Sequence, residues 1–164
     1  MIENYTFNEL YKRFEPHETN CTYCNEQAVQ NVEDCYFIPL YMTKDTTNLI
    51  VYLSVKFAKI EIGIPRCNSC KEIHSKAGTK AALISWGTAI ALVVFLFYNI
   101  VAVGGVLLAF GFIAAIFIAI YGTATLKDRF AVDNGIYSLK DGAETNEIIR
   151  DLVLAGWSLE APSP

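Results

Sequence analysis

Residues 81–126 read AALISWGTAIALVVFLFYNIVAVGGVLLAFGFIAAIFIAIYGTATL, 46 residues without one Lys, Arg, Asp, Glu or His. As a single helix this run would extend roughly 69 Å. A bilayer core is about 30 Å thick and takes about 20 residues per pass. One pass is too short to use the run, and two passes joined by a tight turn fit it. A core helix of a soluble protein rarely runs that far without a charge. The stretch therefore predicts a two-helix transmembrane hairpin, with the turn near Tyr98-Asn99 or Gly104-Gly105. The helices are expected over 81–101 and 106–126. Tyr98 and Tyr121 then fall near the two interfaces, with Trp86 just inside one of them.

Working outward, Lys71, Lys76 and Lys80 precede the first helix, and Lys127 and Arg129 follow the second. The turn carries no charge. The positive-inside rule places both termini in the cytoplasm, in an inner membrane crossed twice. Small residues recur at spacing four, Gly87 and Ala91 on the first helix and Gly111, Ala115 and Ala119 on the second. Such rows let backbones approach closely in lipid. They either pack the two helices together or leave one row for a partner helix or a second copy. With no ionisable side chain in the run, an ion path through the hairpin alone is not expected.

The hairpin leaves a head, 1–80, and a tail, 127–164. The head has nine Lys or Arg against ten Asp or Glu, and the tail four against seven. Neither has the basic excess that nucleic-acid binding calls for. No signal peptide is expected, since the N-terminus is acidic and polar and the first long apolar run starts at 81. No catalytic constellation stands out, no small-molecule substrate is evident, and the chain reads as a non-enzyme.

The head carries the chemistry. Cys21-Thr22-Tyr23-Cys24 and Cys67-Asn68-Ser69-Cys70 are two C-x-x-C pairs, each able to grip a metal from a tight turn. Four thiolates suit tetrahedral zinc in a closed, structural site. The 42 residues between the pairs exceed the common 15–20 and need strands to fold them back. Disulfides would need an oxidising compartment, and a redox dithiol a βαβ context; neither accompanies these cysteines. Cys35, on an apolar strand, reads as a small core residue. His74, four residues after Cys70, is a candidate second-shell partner or alternative ligand, or else a surface residue. His17 is a weaker candidate.

Around these pairs the periodicities predict further elements. Residues 2–15 fit an amphipathic helix through Phe7, Leu10, Tyr11 and Phe14, with Thr6 and Glu9 at capping-box spacing. Residues 35–41, 49–55 and 56–64 read as strands of a small antiparallel sheet, the last two either one long strand or a bent pair, with Pro39 marking an edge or bend and 43–48 a turn cluster. In the tail, 145–155 reads as a short amphipathic helix capped by Thr145 and ended by Gly156, with Ile148, Ile149, Leu152 and Val153 on its apolar face. The fold class expected is α+β: a small zinc-ribbon-like β head, a transmembrane hairpin and a short helical tail.

This layout resembles a loose group of small bacterial membrane proteins. They share a C-x-x-C near the start, a strand region, a proline with a second cysteine cluster and nearby His, two apolar helices and a short tail with a Gly-Trp pair. Here those elements are Cys21 and Cys24, Pro65 with Cys67, Cys70 and His74, the hairpin, and Gly156-Trp157. The group has no assigned activity, so the resemblance implies an architecture and no reaction. Zinc-ribbon modules serve as supports that contact protein or nucleic acid, and the charge balance here favours protein. The expected role is an accessory or scaffold subunit of a larger membrane complex, in contact with lipid. The alternative is a membrane-tethered thiol or zinc sensor.

Overall fold

The computed structural model describes residues 4–17, 20–49 and 52–162, with side chains left aside at 45–55, 100–103 and 106. The chain is α+β and forms two compact units. One comprises Met1–Lys71 with Leu139–Pro164, the other Glu72–Ser138.

The first unit begins with two short strands, β1 (Tyr5–Asn8) and β2 (Arg13–Pro16), paired antiparallel. This corrects the helix expected over 2–15, of which residues 2 and 3 lie outside the described residues. Asn8 decides the matter locally. Its side-chain oxygen accepts from the backbone N–H groups of Leu10 and Tyr11, at 3.0 and 3.2 Å, which closes an Asx turn. Lys12 completes the reversal at φ 52°. Phe7 and Phe14, seven apart, look like one helical stripe. They are instead directly opposed across the hairpin, with ring centroids 5.0 Å apart. Leu10 and Tyr11 are exposed at the turn.

Two long strands follow, β3 (Tyr36–Leu49) and β4 (Tyr52–Ile64), paired antiparallel along their length. Residues 52–64 thus form one strand, β4, with no break between Val55 and Lys56, while Leu49 ends β3. The turn expected over 43–48 is corrected as well. Those residues continue β3, and the polar cluster there coincides with a register shift between Thr43 and Asp45, an irregularity that lets the ladder resume. The link at 50–51 lies outside the described residues.

The sheet order is β1-β2-β4-β3. It is mixed, not purely antiparallel, because β2 lies parallel to β4 through Arg13↔Glu61 and Phe14↔Ile62. β3 is an edge strand, which is where Pro39 can sit without costing a ladder bond. Part of that edge is covered by the tail. Tyr41 and Ser158 exchange backbone hydrogen bonds of 2.8 and 2.7 Å.

The rest of the tail is helical, α3 (Leu139–Thr145) and α4 (Glu147–Leu154). The cap of α4 is Asn146, one residue beyond the expected Thr145. Its side-chain oxygen accepts from the N–H groups of Ile148 and Ile149. Gly156 ends the helix at φ 97°, with Gly156 N–H and Trp157 N–H bonded back to Val153 and Leu152. Ile149 is buried, while Val153 of the expected apolar face is exposed. α3 contains Asp141-Gly142, a dipeptide that by itself favours a turn. Gly142 is there because the ring of buried Tyr23 occupies the space where a Cβ would stand.

The second unit is an antiparallel helix pair. α1 (Asn68–Tyr98) and α2 (Ile100–Asp133) are joined at Asn99, and Gly104 breaks the start of α2 at φ 72°, ψ 163°. Both expected turn sites are therefore breaks. The 18 residues from 81 to 98 rise roughly 27 Å, close to the bilayer core.

Pairing along the two helices runs through Phe97–Phe112, Leu96–Gly111, Ser85–Gly122 and Gly78–Lys127. The row of α2 is as expected: Gly111 meets Leu96, and Ala115 and Ala119 are buried. The row of α1 is not. Ala77, Ala81, Ser85 and Ala89 face inward at spacing four, while Gly87 and Ala91 are exposed. The two helical phases differ by only two residues, and sequence alone had no way to choose between them.

α1 and Leu107–Asp133 are long and apolar enough to cross a membrane, with mean hydropathies of 2.1 and 2.2 over their most apolar windows. Only 17% and 11% of their most apolar windows are buried, whereas a soluble core helix is mostly buried. Trp86, Ile90, Phe95, Phe110, Ile116 and Tyr121 all face outward.

The two glycines Gly142 and Gly87 should respond oppositely to alanine. Gly142→Ala forces a methyl into the Tyr23 ring and should cost roughly 1–3 kcal/mol. Gly87→Ala meets open space and should lie within about 1 kcal/mol of wild type on the stable side. Thermal unfolding followed by near-ultraviolet circular dichroism distinguishes the two.

Candidate metal centre

The two cysteine pairs reach one point from different local structures. Cys21 to Cys24 lie on a turn beyond β2. Asn25 N–H bonds back to Cys21 O at 2.9 Å, and Asn25 takes φ 57°, a left-handed conformation that Asn tolerates well. Cys21 N–H is held by Gln27 O at 3.0 Å. The second pair lies where β4 passes into α1. Cys67 precedes the helix and Cys70 is in its first turn. Cys70 N–H points at Cys67 Sγ at 3.5 Å, and Lys71 N–H at Cys67 O at 3.0 Å. One bond ties the two knuckles together directly, Thr22 N–H to Pro65 O at 3.0 Å.

The four sulfur atoms of Cys21, Cys24, Cys67 and Cys70 all lie within 4.8 Å of one another, and none is in a disulfide. Cys24 and Cys67 are 3.9 Å apart. Four sulfurs set about 2.3 Å from a central zinc define a tetrahedron with edges of about 3.8 Å. The cage fits a metal ion of that size. Cys21, Cys67 and Cys70 are buried and Cys24 is half-buried.

The electrostatics differ between the members. For Cys24, burial alone would raise the pKa, but N–H groups of Glu26 and Gln27 aim at the sulfur and the net effect is a thiol below its ordinary value. For Cys67, burial dominates and pushes the thiol up, with Cys70 N–H opposing. Bringing four such sulfurs together as thiolates requires a central positive charge, which a divalent metal supplies.

A scaffold of ordinary residues surrounds the cage. Asp34, mostly buried, pairs with Lys71 at 2.6 Å, and Arg66 Nε donates to Asp34 O at 2.9 Å. These contacts fix the 3-10 turn Val32–Asp34 to the residues flanking the second knuckle. Arg66 also lies over the Tyr36 ring, 5.6 Å from its centroid. Tyr23, inside the first knuckle, is almost fully buried, and burial holds its phenol well above the ordinary value. No spacing rule marks Asp34 or Arg66 in the sequence. Only their adjacence to Cys35 and Cys67 hints at them.

The remaining candidates lie elsewhere. His74 is buried rather than on the surface, and its Nε2 donates to Tyr137 O at 3.0 Å, a bond between α1 and the end of the second unit. It is not among the clustered ligand atoms. His17 is hydrogen-bonded to the Thr6 hydroxyl. Cys35 is buried in the core as expected, and burial pushes its thiol up.

The chain matches no family model, no curated protein and no solved structure with which it was compared. The resemblance drawn from its layout therefore extends to a four-cysteine cluster and two apolar helices, and no further.

Metal bound at this cage should stabilise the first unit in a pH-dependent way. Unfolded thiols hold their protons below about pH 8.5, whereas the metal-bound sulfurs hold none. Stability should thus be greatest near and above that pH and fall as the solution is acidified. Metal content measured with the melting temperature across a pH series checks this. Cys21→Ser, Cys67→Ser and Cys70→Ser should each lose metal and lower the melting temperature, and Cys35→Ser should retain it.

Proposed function

We propose that the chain is a non-enzymatic accessory subunit of an inner-membrane protein complex, with zinc as a structural ion in its head. The observation that carries this reading is the closed four-sulfur cage. With four thiolates around it, zinc has no open coordination position for water or substrate, so it folds the head rather than performing chemistry. Zinc is the favoured ion because thiolates in a tetrahedral cage suit it, and because a structural site needs no redox change. The head then serves as a fixed contact surface and the hairpin as its anchor in lipid. Both termini are assigned to the cytoplasm on the cations at 71, 76, 80, 127 and 129. A reducing cytoplasm keeps the thiols free for metal.

Affinity purification from native membranes in mild detergent should recover the chain with a defined membrane partner at constant stoichiometry. Recovery as a single species free of other proteins contradicts the accessory role. Reporter fusions at either end should be active only in the cytoplasm.

One observation favours a second reading, a thiol or zinc sensor. Cys24 is the only member of the cage that is not buried, and oxidants reach exposed thiols first. Under this reading mild oxidant releases zinc and unfolds the head. Zinc retained under oxidant and chelator removes it.

A further inference from the structure

Within the second unit, at the charged end of the helix pair, α1 and α2 enclose a cleft of about 120 Å³ lined by Ile73, Lys76, Ala77, Lys80, Phe130 and Asn134. Its composition differs from the rest of the hairpin. Two lysines stand on successive turns of α1 over an apolar floor. Lys80 Nζ lies 4.6 Å from the centroid of the Phe130 ring, which holds the ammonium at the rim while leaving its N–H donors available to an anion. Asn134 closes the other side, its Nδ2 bonded to Phe130 O at 2.7 Å. Glu72 pairs with Lys76 at 2.9 Å, but both side chains are exposed, and such a pair contributes little. A second anion can replace that carboxylate at small cost.

The same helix face continues into the apolar run. Lys80, Ile84, Gly87 and Ala91 follow at steps of four, three and four, one stripe of α1. All are exposed, and nothing lies within 4 Å of where a Cβ on Gly87 would stand. Lys80, on the cleft, is thus followed one turn on by an exposed apolar stripe of α1 that starts at Ile84.

We propose that this cleft binds the phosphate of an anionic phospholipid, with Lys76 and Lys80 on the headgroup and an acyl chain along Ile84, Gly87 and Ala91. The inference rests on the proposed membrane placement of the hairpin. The headgroup chemistry is a phosphate diester, and the apolar track argues for a lipid over free phosphate. Juxtamembrane lysines attract anionic lipid in this way.

The full chain is inserted into nanodiscs of phosphatidylcholine with phosphatidylglycerol, and the lipids it retains are read by native mass spectrometry. Wild type should retain phosphatidylglycerol in preference to phosphatidylcholine. Lys76→Gln and Lys80→Gln should each lower that preference about fivefold. A control pair on the first unit, Lys44→Gln with Lys140→Gln, should leave it unchanged. Insertion without any preference overturns the inference while leaving the membrane reading intact. Failure to insert at all overturns both. An equal loss in the control pair assigns the preference to diffuse charge and overturns the site. Displacement by inorganic phosphate as readily as by phosphatidylglycerol assigns the cleft to a soluble anion and overturns the lipid.

Discussion

Convergence of four sulfur atoms from two distant segments is the constraint on which the first unit depends. Cys21 and Cys24 come from a turn and Cys67 and Cys70 from a helix start, and 42 residues, most of them in β3 and β4, separate them. β2 meets β4 over only two residue pairs. Among the described residues the buried set around them is small, led by Tyr23, Leu40, Ile62, Ile64 and Ile149. A core of this size supplies limited stability, and a metal held by the four sulfurs would add what burial does not. The surrounding contacts make sense in that light. Thr22 N–H to Pro65 O and the Asp34–Lys71 pair hold the two knuckles at the spacing a metal needs.

The second unit follows a different rule. In lipid, where we propose it sits, its stability would come from close backbone approach and satisfied hydrogen bonds within each helix, not from hiding apolar surface. Small residues on both sides of the helix contact, Ala81, Ser85 and Ala89 against Gly111, Ala115, Ala119 and Gly122, supply the approach. Most of the large apolar side chains point away from the contact, with Leu92, Val93, Leu96 and the Phe97–Phe112 pair as exceptions. Thr88, Thr123 and Thr125 bond to carbonyls one turn back, so their hydroxyls are satisfied without water.

What the sequence made legible, and what it hid, divide on physical grounds. An uncharged run of 46 residues has few structural solutions, and the hairpin and both of its breaks could be read directly. Two C-x-x-C pairs likewise announce a shared site, because thiol chemistry restricts what such a pattern can mean. Short segments were harder. At residues 5–16 a β-hairpin and a helix place apolar side chains at the same sequence spacing, and the Asx turn at Asn8 decided between them. At 43–48 polar residues that look like a turn continue a strand across an irregularity. In the tail, Gly142 lies inside α3, where its place is set by packing against Tyr23. These choices depend on partners far away in sequence, which local patterns do not contain. The Asp34–Lys71–Arg66 scaffold was invisible for the same reason.

The most direct test of the account is zinc-edge X-ray absorption of the protein purified from membranes without added metal. One zinc per chain with four sulfur neighbours at about 2.3 Å is the predicted result. A protein free of metal, one with oxygen or nitrogen in the first shell, or one whose cysteines are joined as disulfides would contradict it.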